Sequence, residues 1–282
     1  MMTVNERVLF KKPKAKELLN QGFTPVDMHY HTRYSDGKAT VASSVKKARK
    51  LGIGVNITDH NEIKGAIELS KYPDLFTIPG IEVTAREGMH LLYYFHSLDE
   101  LQEFYNHNIL PNKKKDIMFL DIGFSDLMDL SEDYNCTLGA PHPYGVAWTG
   151  VCAESHKDVV TEEKLKMFDS VEVINGASLR NMNEKALPLA ESLGKGITGG
   201  SDGHRLSELG RVLTYTKFPA TREEFLKSIK EKNNFVIGKE TTVMQKLATN
   251  SMKITTPAKH PIIYAKQGIN YVKGRMEEES EQ

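Results

Sequence analysis

The chain has 282 residues, 39% of them apolar and 26% charged, with Lys plus Arg and Asp plus Glu equal at 37 each. Such a length buries a large core, and such a composition excludes a disordered chain or one made mainly of membrane spans. The balanced charge supplies no global field for nucleic acid or an anionic membrane, while leaving room for a local phosphate pocket. The two cysteines, Cys136 and Cys152, form neither a metal-ligand spacing nor a disulfide framework, and reduced, buried thiols are expected. Residues 1–16 hold no apolar core of signal-peptide length, and no run approaches the ~18 apolar residues of a membrane span, so a cytoplasmic setting without membrane contact is expected.

In chain order, residues 1–22 are basic and include a short candidate helix, Ala15–Asn20. Phe23–His31 reads as a strand. Side chains alternate along it, so Asp27, His29 and His31 share one face, where two imidazoles at i and i+2 can grip one divalent ion with Asp27 as an orienting neighbour. Thr40 caps a helix to about Leu51 with Val41, Val45 and Ala48 at helical spacing, and Gly52 stops it. Gly54–Thr58 is a second strand delivering Asp59-His60-Asn61, and a helix from about Glu62 to Lys71 follows.

Leu75–Ala85 is strand-like and carries Glu82, a carboxylate between Ile81 and Val83 that needs either a wet face or a partner. Met89–Phe95 is a further strand with His90 at its start. Ser97–Glu100 and Thr221–Glu224 are capping boxes, the first opening a helix to about Asn108 and the second one to about Lys230. Asn112–Lys115 reads as a loop and Ser125–Glu132 as a helix. Thr137–Ala140 feeds Pro141-His142-Pro143, and the prolines restrict the backbone around His142. Residues 146–160, with Trp148 and His156, form a loop. Ser170–Gly176 is a strand carrying Glu172 and Asn175, and a helix from Asn181 to Leu193 ends at Gly194. Gly196–Ser201 is a short strand that delivers Asp202-Gly203-His204. Val212–Thr216 and Phe235–Gly238 are the last strands, and residues 239–282 are weakly patterned to an acidic tail, Glu277–Gln282.

Strands alternating with helices argue for a parallel α/β fold, in which function gathers at the carboxyl ends of strands. His29, His31, His60, Glu82, His142, Asp202 and His204 fall at or near those ends, and His90 stands at a strand start, which points to an antiparallel strand or a loop-borne ligand.

The ordered series Asp27-Met-His29-Tyr-His31 with Ser35-Asp36-Gly37, Thr58-Asp59-His60-Asn61, Gly80-Ile81-Glu82, His90, Pro141-His142-Pro143, Glu172-Val-Ile-Asn175-Gly176 and Gly200-Ser201-Asp202-Gly203-His204 resembles the PHP family, the polymerase and histidinol-phosphatase domain. The resemblance spans about Asp27 to Gly210. It implies an α/β distorted (β/α)7 barrel with a metal cluster at its C-terminal mouth, within a domain at 23–238 flanked by extensions at 1–22 and 239–282. It implies two or three divalent ions (Mn, Zn or Fe, with Mg as a further candidate). One position would take His29, His31, Glu82 and Asp202, with Glu82 bridging. A second would take Glu82, His90 and His142, and a third Asp36, His60 and His204. Asp36 replaces a histidine found in many relatives, and a harder carboxylate ligand tilts the site toward Mn or Mg.

Clustered divalent ions suit phosphate-ester hydrolysis by a metal-bound hydroxide, and the chain holds neither a P-loop pattern nor a serine nucleophile elbow for a covalent route. The expected activity is hydrolysis of a small phosphomonoester of nucleotide or metabolite type. Nucleic acid is not expected as a partner. The alternatives are a phosphodiesterase or nuclease, and a non-catalytic metal-binding module. Asp202 and His204 are candidates for catalytic proton handling, and Arg180 is the cation favoured for holding phosphate, ahead of Arg33 and Arg205.

Overall fold

The computed structural model describes residues 2–113, 119–145, 148–217, 219 and 221–240. The expected acidic tail, His260, Lys114 and Lys115 lie outside the described residues. Ten strands are present among those described: β1 (Val8–Leu9), β2 (Phe23–Tyr30), β3 (Gly54–Ile57), β4 (Gly80–Thr84), β5 (His90–Phe95), β6 (Cys136–Ala140), β7 (Ser170–Asn175), β8 (Gly196–Gly200), β9 (Val212–Lys217) and β10 (Phe235–Gly238).

The strands form two five-stranded sheets, ordered β1-β10-β9-β2-β3 and β4-β5-β6-β7-β8. Both are mixed: β2 pairs β3 in parallel and β9 antiparallel, while β5 runs antiparallel to both of its neighbours. An all-parallel arrangement is therefore corrected. Only residues 85–89 separate β4 from β5, and so short a link makes a hairpin, since a parallel crossover needs a dozen residues or more.

The expected distorted (β/α)7 barrel is matched in its α/β class and clustered site, while closure into a barrel is not confirmed. Single parallel bridges, His60 to Glu82 and Tyr30 to Gly203, join the two sheets where continuous ladders would close a barrel. At the second of these joints β8 comes very close to β2: a Cβ added at Gly200 would strike the backbone of His29, so only glycine permits this approach.

Alternation on β5 shows why so many strands are buried on both faces. Leu91, Tyr93 and Phe95 pack with Phe104 and Phe124, whereas Leu92 and Tyr94 join Val26, Met28, Ile78 and Phe225. The helix Val41–Leu51 starts as its sequence directs, with Thr40 Oγ1 accepting from Ser43 N at 3.1 Å, and ends at Gly52 with φ +70°. Both capping boxes form as expected.

Other boundaries shift for identifiable reasons. The strand expected from Leu75 starts at Gly80, because Pro79 has no N–H to give a ladder. The helix expected from Glu62 starts at Lys64, because the Glu62 carboxylate accepts from the N–H groups of Ile63 and Lys64 and so acts as a cap. The helix after Ser97 is α-helical over Leu98–Phe104 and widens to a π turn over Tyr105–Ile109. Strand β1 is unforeseen: it pairs with β10 and docks the N-terminal residues on the sheet. Among the described residues no helix is long and apolar enough to cross a membrane.

Candidate metal centre

The cluster is built on one buried carboxylate. Glu82, near the middle of β4, is 1% exposed. Its Oε2 lies 3.2 Å from His29 Nε2, from His31 Nε2 and from His60 Nδ1, and its Oε1 lies 3.0 Å from His90 Nδ1 and 3.2 Å from His142 Nε2. Five imidazoles from β2 and the residue after it, the turn after β3, β5 and the turn after β6 therefore meet a single side chain.

Backbone contacts hold these ligand-type residues in place. The loop after β8 zips onto β2, with Asp202 N donating to His29 O at 2.8 Å and His31 N to Gly203 O at 3.1 Å, so Asp202 Oδ1 stands 3.2 Å from His31 Nε2. The turn after β3 is tied to β4, with Asn61 N donating to Glu82 O and Asn61 Oδ1 accepting from Thr84 N, both at 2.9 Å. That bond presents His60. Three non-glycine residues at these turns take positive φ: Asn61 at 50°, His142 at 27° and Asp202 at 45°. Such backbone costs of order 1–3 kcal/mol each and persists where surroundings enforce it, which is characteristic of functional sites. His142, whose backbone the flanking prolines restrict, is set in this conformation, with its N–H donating to Glu172 Oε2 at 2.8 Å.

Asp36 and His204 complete the rim, joined by Asp36 Oδ2 to His204 Nε2 at 2.7 Å. The His31 ring stacks between those of His60 and His204, with centroids 4.6 Å from each. Three groups thus present atoms able to share an ion: His29, His31 and Asp202; His60, Glu82 and His90; and His31, Asp36, His60 and His204. The groups overlap, with His60 reaching both Glu82 and the rim, so the three separate ligand sets implied by the resemblance run into one another.

The residues fit divalent ions. His29 Nε2 and His31 Nε2 are 3.0 Å apart and both face Glu82 Oε2 and Asp202 Oδ1. Ligand atoms sharing one ion at ~2.0–2.2 Å stand roughly 3–3.5 Å apart, which is the spacing here. Glu82 Oε2 is buried and, by geometry, makes no hydrogen bond.

Charge in the cluster is finely balanced. Burial works against an ionised Glu82, but His60, His29 and His90 outweigh it and hold the carboxyl well below the usual range. Burial likewise opposes ionised Asp202, which His29, His31 and His204 hold well below its ordinary value. Burial disfavours protonated His31, yet hydrogen bonds to Asp202 and Glu82 raise its pKa to about 10. His60 goes the other way, lowered to about 3 by burial, helped by His31 and His90 and opposed by Glu82 and Asp36.

The orienting residues differ from those expected. Asp27 is met by backbone N–H groups, that of His29 among them, and not by the imidazole rings. It is fully buried and clamps the β8 side of the joint, accepting from Ser201 N and Gly210 N at 2.8 Å each. The ring of His29 is instead steered by Glu172, whose Oε1 is 3.1 Å from Nδ1. Asn175 donates to Glu172 Oε2 at 2.8 Å and to Asp202 Oδ2 at 3.2 Å. Glu172 and Asn175 stood in the sequence motif without a role, and their i, i+3 spacing near a strand end was the available signal. Arg180, the cation favoured for phosphate, has its Nε donating to Glu240 Oε1 at 2.8 Å and its guanidinium 4.2 Å over the Phe10 ring, so its charge is engaged by the chain itself.

Comparison with known proteins gives the family context. The PHP-associated model PHP_C matches residues 180–234, which hold Asp202 and His204. No sequence match to a curated protein accompanies it. Among solved structures, a two-domain protein from Bacteroides vulgatus containing a predicted PHP-like metal-dependent phosphoesterase is similar at TM-score 0.57 and 16% identity, over 82% of this chain and 68% of that one. Endonuclease Q in complex with a 27-mer duplex bearing an abasic lesion is similar at TM-score 0.61 and 17% identity, over 80% of this chain and 66% of that one. The lesion-specific endonuclease of Pyrococcus furiosus is similar at TM-score 0.59 and 18% identity, over 76% of this chain and 57% of that one. The expectation that set nucleic acid aside as a partner is overturned by these two endonucleases: the same fold serves DNA-cleaving proteins, and zero net charge was a poor guide because a DNA contact depends on local charge at the mouth. Its ordered motifs, the PHP-associated match over residues 180–234 and the Glu82-centred cluster make the chain similar to PHP-type metal-dependent phosphoesterases.

Proposed function

We propose that the chain hydrolyses phosphoesters at two or three divalent ions held by His29, His31, Asp36, His60, Glu82, His90, His142, Asp202 and His204, in a catalytic domain spanning 23–238. The observation that carries this reading is the single buried carboxylate of Glu82 met by five imidazole nitrogens at 3.0–3.2 Å. When bound, the ions supply charge neutralisation for the phosphate oxygens and a lowered pKa for water.

The chain's own residues set direction and order. Side-chain exposure is 33% at Asp36, 20% at His204 and 14% at Asp202, and 0% at His29 and His31. The ester therefore enters on the Asp36–His204 side and meets the buried ligands last. Asp202 and His204, on that open side, are the candidates for exchanging protons with it wherever an ion does not occupy them. Glu172 and Asn175 hold His29 and Asp202 in orientation through hydrogen bonds.

A phosphodiester, as in nucleic acid, is the reading favoured over a small monoester, because the two endonucleases share this fold at TM-scores of 0.61 and 0.59. Turnover of bis(p-nitrophenyl) phosphate against p-nitrophenyl phosphate by the manganese-loaded chain separates the two. Preference for the bis ester supports the diester reading, preference for the monoester overturns it, and no metal-dependent turnover of either overturns hydrolysis itself.

A further inference from the structure

We propose that Trp148 is the face on which the base of a nucleotide-type phosphoester stacks beside the metal centre. This rests on the phosphoester reading above and adds to it the class of group that the ester carries.

Trp148 is the chain's one tryptophan and lies in a loop tied to two cluster residues. The loop leaves β6 at His142. It returns where Thr149 O accepts from His90 N at 3.0 Å, and Cys152 N donates to Pro143 O at 2.8 Å. Trp148 thus directly precedes the residue whose carbonyl pins His90.

Trp148 is also held from behind. Its carbonyl accepts from Nε2 of the fully buried His156 at 2.6 Å. Its indole edge packs over Gly88, where φ is +99° and any Cβ would strike Cδ1. These contacts leave the indole half-buried, and it joins none of the four core clusters.

A large ring that is immobilised, partly open and unused by the core has already lost the freedom that binding would cost. Indole offers a broad π surface and one N–H. That suits a planar base, whereas a sugar or phosphate is better served by the imidazoles and carboxylates alongside. The ligand chemistry is a base attached to a phosphoester, whether in a free nucleotide or in a strand.

The test uses the full manganese-loaded chain, whose fluorescence reports Trp148 alone. Adenosine 5′-monophosphate and a short single-stranded oligodeoxynucleotide should quench it saturably, and ribose 5-phosphate should not. The tighter of the two quenchers identifies free nucleotide or strand as the source. By calorimetry, Trp148→Ala should weaken the base-bearing ligands about tenfold more than ribose 5-phosphate, and Trp148→Phe should recover most of that difference. Equal weakening of all ligands, or no base-dependent signal in any arm, overturns the proposal. These are binding measurements, so base discrimination without turnover of any ester would overturn hydrolysis and leave stacking supported.

Discussion

Glu172 and His29 lie 143 positions apart in the chain, yet Glu172 Oε1 stands 3.1 Å from His29 Nδ1. With Nδ1–H donating to that oxygen, the lone pair of Nε2 faces Glu82 and Asp202. The other Glu172 oxygen accepts from the His142 backbone N–H, so one carboxylate sets two ligands. Replacing Glu172 with Gln keeps the volume and removes the charge that fixes this tautomer. Metal affinity or turnover should fall about 10–100-fold while the fold survives, as read by metal titration and circular dichroism.

Glu82→Ala should be more severe. It removes the atoms against which five imidazoles are arranged, and elemental analysis should find fewer bound ions per chain than in the wild type. Metal-dependent turnover should drop on the order of 10²–10³-fold or more. A variant that retains both metal and turnover would remove Glu82 from the centre of the site.

Metal loading should strengthen as pH rises. Without ions the cluster holds protons, with His31 raised to about 10 against an ordinary 6.5 and His29 also raised well above its ordinary value. A metal takes the lone pairs that those protons occupy, so each displaced proton adds about tenfold in affinity per pH unit below its pKa. The same shift gives the sign for stability. The contribution of His31 in the ion-free protein is complete below 6.5 and is lost as pH rises through about 10. Melting of chelator-treated and manganese-loaded protein at pH 6.5 and at pH 9 should therefore show a gap that widens at the higher pH.

Asp27→Ala should act on stability. Two backbone N–H groups, those of Ser201 and Gly210, lose their acceptor inside the protein. Each buried donor left unpaired costs about 1–3 kcal/mol, so denaturant unfolding should show a loss of roughly 2–4 kcal/mol. Metal affinity should weaken with it, since Ser201 precedes Asp202 on the same loop.

Arg180→Ala should leave the Michaelis constant for phosphoesters within about threefold of wild type, because the guanidinium is engaged by Glu240 and Phe10. A tenfold rise would mean that Arg180 releases Glu240 to hold substrate.

Much of this protein is legible along the chain because the signals are local. The cap at Thr40 and the stop at Gly52 follow from side-chain and backbone chemistry within a few residues, as do both capping boxes. Residue types at strand ends likewise announce a polar cluster, since imidazoles and carboxylates are costly there without a partner. What local chemistry does not carry is which distant groups meet. Asp27 shares a strand face with His29, yet its carboxylate is taken by Ser201 and Gly210, and the orienting role falls to Glu172. Arg180 sits after a strand as a phosphate-binding residue would, and Glu240 claims it. The composition determined a soluble-type core and the motif order a metal-binding α/β chain. The tertiary structure alone decided the strand directions, the single-bridge joints between the two sheets, and the convergence on Glu82. The reason is that pairing between segments far apart in the chain is settled by backbone hydrogen bonds and close approaches, such as Gly200 against His29, which leave no periodic trace in the sequence.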